Sequence, residues 1–177
     1  MNTQPKPKPC AQCGSIFTPV RPMMLVCSPL CASRLVKAAK KEEFARTKAR
    51  KVAIKSRADW AREAQTAFNA WVRARDADKP CISCERHHTG QYHAGHFLSR
   101  GARPELAYEP DNCHKQCAPC NTHLSGNVSM YRVNLVKLIG LERVEWLEGP
   151  HAAKHYSIED LREIKETYKR KLKEINQ

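Results

Sequence analysis

The clearest pattern in the chain is a pair of apolar stripes at helical spacing. Trp60, Ala64, Ala67, Phe68 and Trp71 fall at i, i+4, i+7, i+8 and i+11, the stripe of an amphipathic helix. Leu161, Ile164, Tyr168, Leu172 and Ile175 follow 3-4-4-3 spacing and predict a final helix over 157–175 with one continuous apolar seam. Ser157-x-x-Asp160 resembles a capping box that starts it. Packing on the same chain is the commoner fate of such a seam, and a dimer contact is the alternative. A helix from about 128 to Gly140 and a short one, Leu141 to Glu148, stopped by Gly149-Pro150, are also expected.

Residues 32–78 contain neither Gly nor Pro and are rich in strong helix formers, predicting one long helix or two in series. The first part of this segment is very basic. Residues 32–60 carry ten Lys/Arg against three acids. That part suits a solvated polyanion, whereas the striped part suits a core. A solvent-exposed helix with no partner is the bland alternative. Over the whole chain of 177 residues the formal net charge is +13, which points to nucleic acid as the partner. No apolar run approaches the ~18 to 20 residues that span a bilayer. The opening MNTQPKPKPC has no apolar stretch of a secretory signal. A cytoplasmic protein with no membrane partner is therefore expected.

Nine cysteines in a chain of this kind argue for thiolates and metal rather than disulfides. Eight form four close pairs, and Cys113 is left over. Cys10-x2-Cys13 and Cys27-x3-Cys31, in a segment with Pro19, Pro22 and Pro29, make a small N-terminal zinc ribbon or knuckle, with metal supplying the folding energy that so short a segment lacks. Residues 1–9, rich in Pro and Lys, are expected to be disordered. Cys81-x2-Cys84 and Cys117-x2-Cys120 make a second structural zinc site that encloses 32 residues.

Inside that enclosure lie His87, His88, His93, His96 and His114. Gln91–Phe97 reads as a short strand, Leu98–Tyr108 as a polar loop, and Cys117-Ala-Pro-Cys120-Asn121-Thr-His123 as the opening of a helix. His87 and His88 fall in an expected turn as surface residues, while His114 and His123 are reserve ligand candidates. A neutral imidazole can take a proton from water attacking a phosphodiester, and a hard cation held by oxygen donors can stabilise the scissile phosphate.

A strand ending in His, a later Asn, and an Asn straight after a Cys-x-x-Cys resemble the zinc-bearing HNH (ββα-metal) nucleases. That resemblance implies His96 as general base and Asn112 as the catalytic-site residue that orients loop and base. It implies Asn121 as a ligand of a catalytic Mg²⁺ or Mn²⁺. Many such enzymes carry a metal-binding acid just before the base; here the position is Gly95. His93 is a replacement ligand only if the strand bends at Gly95, because positions 93 and 96 of a regular strand face opposite ways. A structural, hydrogen-bonded histidine is the competing reading for both.

The block His93–Asn127, with Val133-Asn134-Leu135 and Leu141-Glu-Arg-Val-Glu-Trp-Leu-Glu, is similar to the NinG (Rap) recombination proteins of lambdoid phages over nearly the whole chain. The implied fold is α+β and mainly helical. It has a small zinc-stapled ββα-metal (HNH) core, a long basic helix and an N-terminal zinc ribbon or knuckle. The implied divisions are 1–31 (disordered start and zinc module), 32–78 (basic, then amphipathic helix), 79–150 (nuclease core) and 151–177 (C-terminal helix). The implied function is a metal-dependent endonuclease acting on branched recombination intermediates, D-loops and four-way Holliday junctions, in the bacterial host cytoplasm. Host or phage recombination proteins would be partners, and a homodimer would supply two active sites. Arg34, Lys37, Lys40, Lys41, Lys48, Arg50, Lys51 and Arg100 are the expected DNA-binding residues. The rival is a non-catalytic zinc-finger DNA-binding or mediator protein, which the same charge and cysteines would serve.

Overall fold

In the computed structural model, which describes residues 6–21 and 23–177, the chain separates into a unit ending at Lys55 and a unit from Ser56 to Gln177. In the first, β1 (Lys8–Pro9) pairs antiparallel with β2 (Ile16–Phe17), and α1 (Pro29–Ala53) follows. Lys8 and Pro9 are thus ordered where disorder was expected; the rest of that expectation bears mainly on residues 1–5, outside the described residues. Ser28 starts α1 by accepting the Cys31 N–H, with Pro29 in the first turn, where a missing N–H costs nothing. Among the described residues of this helix Cys31 alone is buried, and the rest is largely polar and basic.

The second unit begins with α2 (Arg57–Arg75), whose capping box joins Ser56 and Asp59. The 32–78 segment is therefore two helices, divided at 54–56 by a cap that a Ser-x-x-Asp motif announces. All five stripe residues of α2 are buried. They pack on α5 (Ile158–Ile175), which starts at the expected Ser157–Asp160 capping box. The α5 seam lies within this chain: Leu161 and Tyr168 are buried and Ile164 and Leu172 partly so, whereas Ile175 is exposed.

Between these helices and α3 (Val128–Ile139) with α4 (Leu141–Glu148) sits a two-stranded sheet, β3 (Tyr92–His96) and β4 (Cys113–Cys117). The strands are antiparallel and in continuous register from Tyr92↔Cys117 to His96↔Cys113. Two cores follow from the alternation of the strands. Phe68, Trp71, Val72, Tyr168, Cys113 and Ala94 pack on one face. On the other side Phe97, Leu106, Tyr131, Leu135, Val144 and Leu147 form a second cluster. Arg75 and Asp76 fasten α2 to the sheet: Arg75 donates to the Pro110 and Cys113 carbonyls, and Asp76 accepts the Lys115 N–H. Burial pushes the Asp76 carboxyl up, but Arg75 and Lys79 outweigh it and hold it at about 2.

Candidate metal and catalytic site

Each cysteine quartet converges. In Cys10, Cys13, Cys27 and Cys31, and again in Cys81, Cys84, Cys117 and Cys120, the four sulfurs lie within 4.8 Å of one another. Tetrahedral zinc with bonds of ~2.3 Å requires sulfurs about 3.8 Å apart. The sulfurs of Cys13 and Cys27 are 3.6 Å apart, those of Cys27 and Cys31 3.7 Å, and those of Cys84 and Cys117 3.9 Å. None of the eight is in a disulfide. Backbone N–H groups of Gln12 and Cys27 point at Cys10 Sγ, and that of Cys117 at Cys81 Sγ, the donors a thiolate attracts. Both clusters could hold zinc. His88, expected at the surface, is half-buried with Nε2 3.2 Å from Cys84 Sγ, while His87 is exposed. The hydrogen bond from the His88 N–H to the Tyr92 hydroxyl draws that turn inward.

The second quartet brackets the sheet. Cys117 ends β4, and Cys120 lies in a single π-helical turn, Pro119–His123, where a longer helix was expected. The chain then passes through positive φ at Ser125, Gly126 and Asn127 before α3, which explains why the turn does not continue. Asn121 is thereby presented beside β3. His96, Arg100, Asn121 and Asn69 line one cavity of about 410 Å³, and His93, Asn121, Asn69 and Arg73 line an adjoining one of about 470 Å³. A more apolar cavity beside Cys81, Ile82 and Leu138 contains none of the expected catalytic groups.

His96 sits at the end of β3 with its ring 6.0 Å from Phe68. Its Nε2 lies 3.0 Å from the Ala107 carbonyl. A carbonyl only accepts, so the proton is on Nε2 and Nδ1 carries the lone pair. The Cys113 thiol is the neighbour of Nδ1, at 3.6 Å. Burial drives the His96 pKa below its ordinary value; the Ala107 bond opposes this and Arg100 adds to it. Burial also raises the Cys113 thiol pKa well above its usual range, so it stays protonated. His96 is therefore a neutral imidazole with a defined tautomer beside a polar cavity.

Asn112 is fully buried and spends its whole side chain on the loop 97–112. Its Nδ2 donates to the Leu98 and Leu106 carbonyls, and its Oδ1 accepts the Leu98 N–H. Leu106 adjoins Ala107, whose carbonyl fixes His96. Asn112 thus positions the loop that sets the tautomer. Arg143 supports the same loop through Asp111 and Glu109. Asn112→Ala would take the partner from the Leu98 N–H and carbonyl and one of two donors from the Leu106 carbonyl, which the Glu109 N–H also reaches, at a cost of roughly 2–4 kcal/mol. Urea denaturation should show that loss as a lower midpoint with an unchanged slope.

Asn121 Nδ2 is 2.9 Å from His93 Nδ1, so these two expected ligands meet. β3 is regular through Gly95, so the bend that would have brought His93 and His96 together is absent. Asn121 lies at the sheet edge and borders both cavities. His114 is a core residue: it contacts the Tyr131 hydroxyl, and burial takes its pKa to about 4. His123 is exposed. Arg34, Lys37, Lys40, Lys41, Lys48, Arg50 and Lys51 are all exposed on α1. Arg100 lines the His96 cavity, where it donates to Gln65 Oε1; Gln65 in turn donates to Asn69. Sequence spacing did not mark Gln65, Asn69 or the Ala107 carbonyl. The polar residues interrupting the α2 stripe were the available signal for the first two.

Among the described residues, no helix is long and apolar enough to cross a membrane. No solved structure matches the chain. A family model described as Bacteriophage Lambda NinG protein matches residues 2–177. The chain is 37% identical to protein ninG of Escherichia phage lambda, the match covering 93% of this chain and 90% of that one. It is 36% identical to protein ninG of Salmonella phage P22 over the same shares. To protein ninG of Escherichia phage 933W it is 44% identical over 72% of this chain, which spans 64% of that relative's length. The cysteine quartets, His96, Asn112 and Asn121 all lie within the span matched by the family model, and the chain belongs to the NinG family.

Proposed function

We propose that this chain is a metal-dependent DNA endonuclease of HNH type, acting on branched recombination intermediates such as D-loops and four-way junctions. The observation that carries the reading is His96: a neutral imidazole, its tautomer fixed by Ala107, lining one cavity with Asn121 and Arg100. Nδ1 of His96 takes a proton from the attacking water, displacing the weak Cys113 contact. Asn112 holds the loop that aims the ring. Arg100 meets the phosphate of the strand to be cut and helps to balance charge that develops there. Asn121 and His93 offer amide and imidazole donors suited to Mg²⁺ or Mn²⁺, which when bound would stabilise the leaving oxyanion. The two cysteine quartets hold structural zinc and take no part in the chemistry.

The basic face of α1 binds DNA backbones without reading sequence. Replacing Lys40, Lys41, Lys48 and Lys51 with Ala should weaken duplex binding and flatten its salt dependence. The slope of log K against log [salt] should fall by up to about 3–4, at ~0.9 for each phosphate no longer neutralised. Fluorescence anisotropy over a salt series measures it, and an unchanged slope would remove α1 from the interface.

The activity itself is tested with a 5′-labelled four-way junction and its linear duplex arms, with Mg²⁺, Mn²⁺ or EDTA. Cation-dependent cutting of the junction in preference to the arms is expected. Tight binding with no cutting in any cation would favour the zinc-finger mediator instead. Host or phage recombination proteins and a second copy of the chain are the partners this activity would call for.

A further inference from the structure

Gln116 lies on β4 directly opposite His93 and is fully buried. Its Nε2 donates to Ser83 Oγ at 2.6 Å and to the Gly126 carbonyl. The carbonyl settles which end of the amide is nitrogen, so the other end is Oε1. That oxygen has no hydrogen-bond partner among the described residues. A buried amide oxygen is rarely left unpaired, and leaving it so costs on the order of 1–3 kcal/mol.

The position of this oxygen is informative. A Cβ built on Gly95 would lie 2.1 Å from Gln116 Oε1. The amide therefore fills the space that a side chain at position 95 would occupy. Strand alternation and register place His93, Gly95, His114 and Gln116 on one face. On that face His114 is tied to Tyr131, and His93 is in contact with Asn121. Gln116 contributes the remaining polar donor.

We propose that Gln116 Oε1 is an oxygen ligand of the divalent cation held by Asn121 and His93, taking the place of a side chain that Gly95 lacks. This rests on the nuclease reading of the same site. Amide oxygens suit a hard cation. Asn121, His93 and Gln116 carry no negative charge, so the protein alone binds the cation weakly and a DNA phosphate completes the site. Gln116→Glu adds the missing charge and tightens binding in the absence of DNA. Gly95 is glycine because Gln116 leaves no room for a Cβ.

The test is Mn²⁺ binding to the zinc-loaded full chain, read by the electron paramagnetic resonance of free Mn²⁺, with and without a non-cleavable junction. Wild type should bind, more tightly with the junction, and Asn121→Ala should lose most of that affinity. Gln116→Met should bind at least 10-fold more weakly, and Gln116→Glu at least as tightly as wild type. Unaltered binding by folded Gln116→Met would overturn the role of Gln116 and leave the site itself standing. No Mn²⁺ binding by wild type, with or without the junction, would remove the cation site and this inference with it. If Gln116→Met does not fold, Gly95→Asp combined with Gln116→Ala decides. The truncation clears Oε1 and leaves Gln116 Cβ at 3.0 Å, a contact that small shifts relieve. The double variant should bind Mn²⁺ at least as well as wild type, and its failure to bind while folded would overturn the proposal.

Discussion

Cys117→Ser is expected to release one of two zinc ions per chain and to unfold the core of the 56–177 unit. Cys117 is almost fully buried, ends β4, and sits in the sulfur cluster that joins residues 81–84 to the turn carrying Asn121. A serine hydroxyl does not replace a thiolate on zinc. Three remaining sulfurs drawn together without a metal gain nothing from their proximity. Structural zinc typically supplies apparent folding free energy of ~10–16 kcal/mol, against ~5–15 kcal/mol for the whole stability of a typical domain. The sheet then loses the anchor at one end, and the cavity beside His96 loses the turn that forms its wall. Circular dichroism and zinc content per chain read both consequences. Cys31→Ser makes the contrast, because the clusters formed by residues 67–172 include none of the first quartet. It should also lose one zinc, but keep the cooperative melting of the second unit. Two zinc ions retained by Cys117→Ser would contradict the assignment of that quartet.

His96→Ala should lower cleavage by about 10²–10⁴-fold, the usual contribution of a general base. Zinc content and junction affinity should stay close to wild type, since His96 lines a cavity and belongs to neither quartet. The pH dependence follows from the direction of its shift. Burial lowers the His96 pKa, so the unprotonated base is already predominant below the pH at which an ordinary histidine would be. Wild-type single-turnover rates should rise with pH on the acid side and level off before neutrality. The residual rate of His96→Ala should lack that limb. A limb centred above the ordinary histidine pKa would mean that another group provides the base.

Much of the fold was legible because its signals are periodic or local. The α2 stripe, the α5 seam with its Ser157 cap, and the break at Gly140 each depend on residues within a turn or two of one another. The quartets were legible because close cysteine pairs announce zinc without any knowledge of the chain path. β4 was less so, since Cys113-His-Lys-Gln-Cys117 is buried at every position and shows no alternation. The pairing of His93 with Asn121 was beyond reach of spacing for a different reason. The expectation weighed only which face of β3 each histidine occupies, whereas Asn121 borders the cavities of both His93 and His96. Gln65, Asn69 and Gln116 are ordinary polar residues in sequence. What distinguishes them is a partner, or the lack of one, across the fold.

The central claim is that the cavity holding His96 cuts DNA. The most direct measurement is single-turnover cleavage of a labelled four-way junction at saturating protein with Mn²⁺, wild type beside His96→Ala. Wild type should cut, and His96→Ala should bind the junction equally well and cut at least ~100-fold more slowly. Equal cutting by the two proteins, or full binding by both with no cutting, would contradict it.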